Sequence, residues 1–202
     1  MKKLLLLSAG VLILTLAVSA GEPYKAGDYA SDFSLKNVDG TSVSLSQMEN
    51  AKGFIVMFIC NKCPVVKQYE TRIMDLHKKF SDKGYPVIAI NSNDKIISPG
   101  DSFEEMQKLA MTRKYGFRYL YDESQEVVRK FGATNTPQVF VLSKKDDKLK
   151  VEYIGAIDNN ADNPAMADKK YVEDAVNALL KGEQVTVTKT KAVGCSVKLK
   201  KA

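Results

Sequence analysis

The sequence predicts an α/β domain: a mixed central sheet flanked by helices, with an N-terminal β-hairpin extension. Three observations carry that expectation. Phe54 to Ile59 is an unbroken apolar run rich in β-formers, the pattern of a strand buried on both faces. Two cysteines, Cys60 and Cys63, follow at once, and then Val66, Tyr69, Ile73, Leu76 and Phe80 recur at helical spacing, one apolar face of a helix. Pro86 to Asn91 is a second buried strand. Residues 54–91 therefore read as a βαβ unit, which crosses over right-handedly in a parallel sheet.

The remaining elements follow in order. Residues 1–20 read as a signal peptide: a basic head (Lys2, Lys3), an apolar run from Leu4 to Val18, and the small residues Ser19 and Ala20 at the expected cleavage point. The apolar run is short for a bilayer span, and no cysteine near the cut supports lipid attachment. Residues 21–30 read as a linker. Phe33 and Leu35, the turn Asp39-Gly40, and Val43 and Leu45 make a hairpin. The Cys63 helix is expected over 62–81, ending near Ser81 with Gly84 as the stop. Ser102 with Glu105 is a capping box opening a helix to about Lys114. Phe117 to Tyr121 is a short strand, and Asp122 with Gln125 is expected to cap a helix over 123–131 that Gly132 closes. Gln138–Ser143 and Leu149–Gly155 are strands joined by a charged turn. Helix 169–181 and an extended tail carrying Cys195 complete a single domain, 31–202.

Length and composition bound the function. At 202 residues and 45% hydrophobic content, the chain can bury one good core. The formal charge of +6 falls to +4 without Lys2 and Lys3, and the excess sits in the tail at Lys189, Lys191, Lys198, Lys200 and Lys201. That is a solvated basic tail; no basic stripe with aromatic or arginine readout points to nucleic acid. An exported chain reaches an oxidising compartment, periplasmic or extracellular, where disulfides persist. A Cys-x-x-Cys loop is too short to be valuable as a staple, so its use is exchange.

A buried strand delivering Cys-x-x-Cys to a helix N-terminus is the thioredoxin-like arrangement of a redox dithiol. The helix end supplies unpaired N–H groups and a positive dipole end that stabilise a thiolate. Cys60 is expected in that field as the attacking sulfur, with Lys62 adding charge, and Cys63 one turn on as the resolving sulfur. Pro64 is expected to distort the first turn. The likeness to thioredoxin-like proteins implies that Thr136-Pro137, just before the strand 138–143, is a cis peptide beside the dithiol whose backbone pairs with a substrate strand.

The chain also resembles the alkyl hydroperoxide reductase/thiol-specific antioxidant superfamily. Asp32-Phe33-Ser34-Leu35, Asp39-Gly40 and Val43-Ser44-Leu45 look like its opening. Cys60-Asn61-Lys62-Cys63-Pro64, Ala89 to Asp94, Tyr119 to Glu123, Thr136-Pro137 and Gly194 to Lys198 resemble a peroxiredoxin-like branch of it, with departures at Lys62 (expected histidine) and Val65 (expected aromatic). Two redox activities compete. One is thiol–disulfide exchange with protein thiols and disulfides and a redox donor protein. The other is a peroxiredoxin-like peroxidase acting on hydroperoxides; the resemblance implies a Thr or Ser three residues before its cysteine and an arginine across the site. Cys60 occupies the first position, and no arginine lies near Thr136-Pro137. A metal or copper-delivery role is weaker: Cys60, Cys63, Cys195 and His77 make a zinc-like count, but the helix rise sets His77 roughly 20 Å from Cys63. His77 reads as an exposed helix residue. No cofactor or metal is expected. Cys195 is an auxiliary thiol or a small structural residue.

Overall fold

The computed structural model describes residues 22–201, so the proposed signal peptide lies outside the described residues. Among the described residues ten strands and four α-helices follow in order: β1 (Tyr29–Ala30), β2 (Ser34–Asn37), β3 (Ser42–Ser44), β4 (Gly53–Phe58), α1 (Pro64–Phe80), β5 (Val87–Asn91), α2 (Phe103–Arg113), β6 (Arg118–Tyr121), α3 (Glu126–Phe131), β7 (Asn135–Thr136), β8 (Gln138–Lys145), β9 (Lys148–Gly155), α4 (Tyr171–Lys181) and β10 (Cys195–Ser196). Eight strands form one mixed sheet in the order β1-β9-β8-β4-β5-β6-β2-β3, and β7 with β10 forms a separate pair.

β4 lies inside the sheet, parallel to β5 and antiparallel to β8. Its period of two splits the core. Ile55 and Met57 face the apolar stripes of α1, α2 and α4, while Phe54, Val56 and Phe58 face α3 and Leu45. All six β4 residues are buried, which is why the run carries no polar alternation. Phe58 packs its ring against Phe131 and Phe140, closing the second layer.

The hairpin β2–β3 forms around Asp39-Gly40 and joins the sheet through β6. β8 and β9 are joined at Asp146 and Asp147, both left-handed, the geometry of a two-residue hairpin turn. The Ser102 hydroxyl accepts the Glu105 N–H at 3.3 Å, so the capping box opens α2 as expected.

Four expectations are corrected. Residues 22–30 are no free linker: Tyr29 and Ala30 pair with β9, and the Tyr24 ring packs edge-on against Phe131. α1 begins at Pro64, because a proline without an N–H suits the first helical position, and Cys63 becomes its N-cap. α3 begins at Glu126; the Asp122 carboxylate accepts the Val127 and Val128 amides, while Gln125 takes a left-handed conformation and sends its side chain elsewhere. The basic tail keeps its lysine side chains largely at the surface, but its backbone is tied down from Lys189 to Lys200.

Candidate functional site

The site lies beyond the carboxyl ends of the parallel strands β4 and β5, where α1 starts, the place where open α/β sheets form crevices. β4 delivers Cys60, and the turn 60–63 carries the chain to α1. Asn61 pins that turn. Its N–H donates to Asp101 Oδ1 at 2.6 Å, its side-chain amide donates to the Gly100 carbonyl at 2.9 Å, and its Oδ1 accepts the Tyr119 hydroxyl at 2.8 Å. Asp101 is wholly buried and also accepts from Ser98, Asn91 and Asn93. A buried carboxylate with four donors is compensated, and it fixes the loop to β5 and to the turn at 99–101.

Both candidate sulfurs are shut in: Cys60 is 3% and Cys63 2% exposed. Cys60 Sγ lies 3.2 Å from Thr136 Oγ1, and the Cys63 thiol donates to the Thr136 carbonyl oxygen at 3.1 Å. The Thr136–Pro137 peptide is cis. The structure therefore gathers Cys60, Cys63, Thr136 and Pro137, which lie far apart in the sequence, into one cluster.

The two thiols are pushed in opposite directions. Cys63 is held down to about 4, first by a hydrogen bond from the Cys60 thiol; burial opposes this, and the Cys195 thiol and the Val66 amide of the first helical turn add to it. Cys60 is pushed up, first by that same bond to Cys63 and then by burial. The assignment of Cys60 to the helix field is thus corrected. Cys63, at the N-cap, stands where the amide dipoles converge. Lys62 is exposed, with its stem lying along Gly100.

Cys195 joins the same place from the other side. It lies opposite Thr136 in the β7–β10 pair and packs against the apolar cluster that holds Cys60 and Cys63. His77 does not belong to it. Its Nδ1 accepts the Val87 N–H at 3.2 Å and its ring meets Phe117 edge-on, so it is half-buried rather than exposed. Among the described residues no group of three or more His, Cys, Asp or Glu is placed to hold a metal ion.

Arg72 serves Asp158 and the Asn160 and Ala161 carbonyls, Arg113 pairs with Glu70, and Arg118 pairs with Asp39. Among the described residues, no hydrogen bond or ion pair joins an arginine to a cysteine. A groove of about 510 Å³ opens beside the site, lined by Tyr69, Pro137, Ile157, Asp158 and Val193.

Sequence reasoning missed Asn61 and Asp101 as the residues that shape the cysteine turn. The available signal was the polar run Asn91-Ser92-Asn93-Asp94 directly after a buried strand, at the sheet edge where crevices form.

The sheet order and flanking helices define a thioredoxin-like fold. The chain belongs to the AhpC/TSA family, whose model matches residues 26–153. Among solved structures, an uncharacterized conserved protein from Geobacillus kaustophilus superposes with a TM-score of 0.81 at 36% identity, covering 88% of this chain and 94% of that one. Peroxidoxin BcpB from Mycobacterium tuberculosis gives 0.59 at 21% identity, over 78% and 97%, a likeness of fold. Among curated proteins, the thiol-disulfide oxidoreductase ResA of Halalkalibacterium halodurans is 23% identical over 63% of this chain and 68% of its own length. Probable glutathione peroxidase 5 of Arabidopsis thaliana is 30% identical over 58% and 65%.

Proposed function

We propose that the chain is an exported thiol–disulfide oxidoreductase, exchanging a Cys60–Cys63 dithiol/disulfide with protein partners. The observation that supports it most is the meeting of two thiols at Thr136, with Cys63 at the α1 N-cap 3.1 Å from its carbonyl oxygen and Cys60 3.2 Å from its hydroxyl. The Cys63 thiolate attacks a partner disulfide and forms a mixed disulfide, expelling the first partner thiolate. Cys60 then attacks Cys63 Sγ, releasing the second partner thiol, and its own proton goes to that leaving group. The partner gains two electrons and the dithiol becomes a disulfide; the reverse sequence oxidises a partner. Cys63 attacks and Cys60 resolves, the reverse of the roles expected from sequence. The groove beside Pro137 offers a surface on which partner chain can lie.

Peroxidase action is the second reading, and one observation favours it: the low-pKa sulfur is Cys63, the one preceded at three residues by a proton donor, Cys60. The Cys63 thiolate would take the distal oxygen of a hydroperoxide, giving a sulfenate and an alcohol, and Cys60 would condense with it to a disulfide and water. The lack of an arginine at the sulfurs weighs against it.

The two are separated by treating the reduced chain from Gly21 with hydrogen peroxide and, separately, with a disulfide-bonded protein such as insulin. Exchange is supported by protein reduction that is lost in Cys63→Ser and stalls as a mixed disulfide when Cys60→Ser is combined with Cys195→Ser. Rapid sulfenate formation on Cys63 with no protein reduction would overturn it.

A further inference from the structure

The last strand of the chain sits where a partner strand would have to sit. β10 pairs antiparallel with β7, placing Cys195 opposite Thr136 and Ser196 opposite Asn135, and the Val197 N–H continues the ladder to the Thr134 carbonyl at 3.0 Å. Thr136 is the residue whose carbonyl and hydroxyl contact the Cys63 and Cys60 sulfurs. The likeness to thioredoxin-like proteins led to the expectation that this backbone is open to a substrate; here the chain's own tail occupies it.

The tail is held in one register on both sides of Cys195. Before it, a side chain at Gly194 has no room, since a Cβ there would stand 2.0 Å from the Thr136 carbonyl oxygen, and that oxygen belongs to backbone. After it, Lys198 is clamped: its N–H donates to Asn93 Oδ1 at 2.8 Å, and its carbonyl accepts from Asp94 N at 2.8 Å and Gln125 Nε2 at 3.0 Å. Gln125 also accepts the Lys200 N–H at 2.8 Å. Asn93 and Gln125 are both buried, so the clamp is made by ordered side chains. The consequence is an asymmetry of access: Cys60 and Cys63 are closed off, whereas Cys195 is only partly buried.

We propose that the terminal strand is a tethered exchange partner and that Cys195 is the third thiol of the site, joined to Cys63 by a disulfide during turnover. The proposal rests on the reading of Cys60 and Cys63 as a redox dithiol. Starting from the Cys60–Cys63 disulfide, Cys195 Sγ attacks Cys63 Sγ. The Cys63–Cys195 bond forms, the Cys60–Cys63 bond breaks, and Cys60 leaves with the proton given up by Cys195. One disulfide and one thiol become one disulfide and one thiol in a new place, with no net oxidation. A partner thiolate then attacks the less buried Cys195 sulfur, which makes a mixed disulfide there and frees the Cys63 thiolate. The buried pair thus communicates with protein partners through its own tail.

The test uses the mature chain carrying Cys60→Ser, oxidised with excess glutathione disulfide, which accepts the two electrons. Tethered strands hold their thiols at an effective concentration in about the millimolar range or above. The expected product is a monomer in which both Cys63 and Cys195 are lost to alkylation and their peptides are linked. A stable glutathione adduct on Cys63 with Cys195 still free overturns the proposal. Wild type run alongside separates the two readings. If it forms neither a Cys60–Cys63 nor a Cys63–Cys195 bond, the dithiol reading fails and the proposal with it; if it forms the Cys60–Cys63 bond, while the variant leaves Cys63 and Cys195 unjoined, the proposal alone fails. Gly194→Val in the otherwise wild-type chain gives a second readout, because it must unseat the strand. Reduced Cys63 should then alkylate about tenfold faster or more, and an unchanged rate also overturns the proposal.

Discussion

The Asn61 N–H donates to Asp101 Oδ1 at 2.6 Å, and this one bond ties the turn between the two cysteines to a loop forty residues away. Asp101 is the hub of that corner, with Ser98, Asn91 and Asn93 as its other donors. Replacing it with alanine strands buried donors without an acceptor. Asp101→Ala should cost about 2–4 kcal/mol of unfolding free energy, and Asp101→Asn, which keeps one oxygen, should cost less. Urea titration measures both.

The pH dependence of the reactive sulfur follows from its neighbour Cys60. Cys63 is held down to about 4 with Cys60 as its first cause. Its thiolate should therefore persist from neutral pH down to that region and disappear only below it. Cys60→Ala removes the donor and should move the midpoint upward, so that the variant loses thiolate at a pH where wild type keeps it. Thiolate absorbance in the far ultraviolet against pH reads the shift directly.

His77 contributes an acid sensitivity of the opposite kind. Its pKa is lowered from 6.5, chiefly by burial, and its Nδ1 accepts the Val87 N–H, which requires the unprotonated ring. The unfolded chain takes up a proton at the ordinary pKa and the folded chain resists it. The contribution of His77 is thus fully present above 6.5 and is lost as pH falls below it. Melting temperature measured over pH 7 to about 5 should fall less steeply in His77→Gln.

Export makes its own prediction. The protein recovered from the extracytoplasmic fraction should begin at Gly21, as N-terminal mass analysis would show, and Ala20→Arg should leave the precursor uncut.

The sheet and its principal helix were legible because burial imposes a period. Ile55 and Met57 against Phe54, Val56 and Phe58, and the stripe from Val66 to Phe80, state their faces in the sequence. The start of α1 was misplaced, although Pro64 carried the signal: proline favours the first helical position, which moves the cap, and the dipole, onto Cys63. The placement of Cys195 beside Thr136 was out of reach for another reason. A two-residue strand has no periodicity, and its partner Thr136 lies fifty-nine residues away, so the pairing exists only in three dimensions. Asp101 was hidden likewise, since a polar residue in a Pro-Gly loop reads as solvent-facing until the donors around it are seen.

The central claim is that Cys60 and Cys63 cycle as a dithiol/disulfide that exchanges with proteins. Its most direct measurement equilibrates the mature chain with a protein dithiol of known potential and maps the cysteines by alkylation and mass spectrometry. The expected result is a Cys60–Cys63 or Cys63–Cys195 disulfide whose fraction follows the partner's redox state reversibly. Cys60 and Cys63 remaining free thiols at every ratio, or oxidising only when peroxide is added, would contradict it.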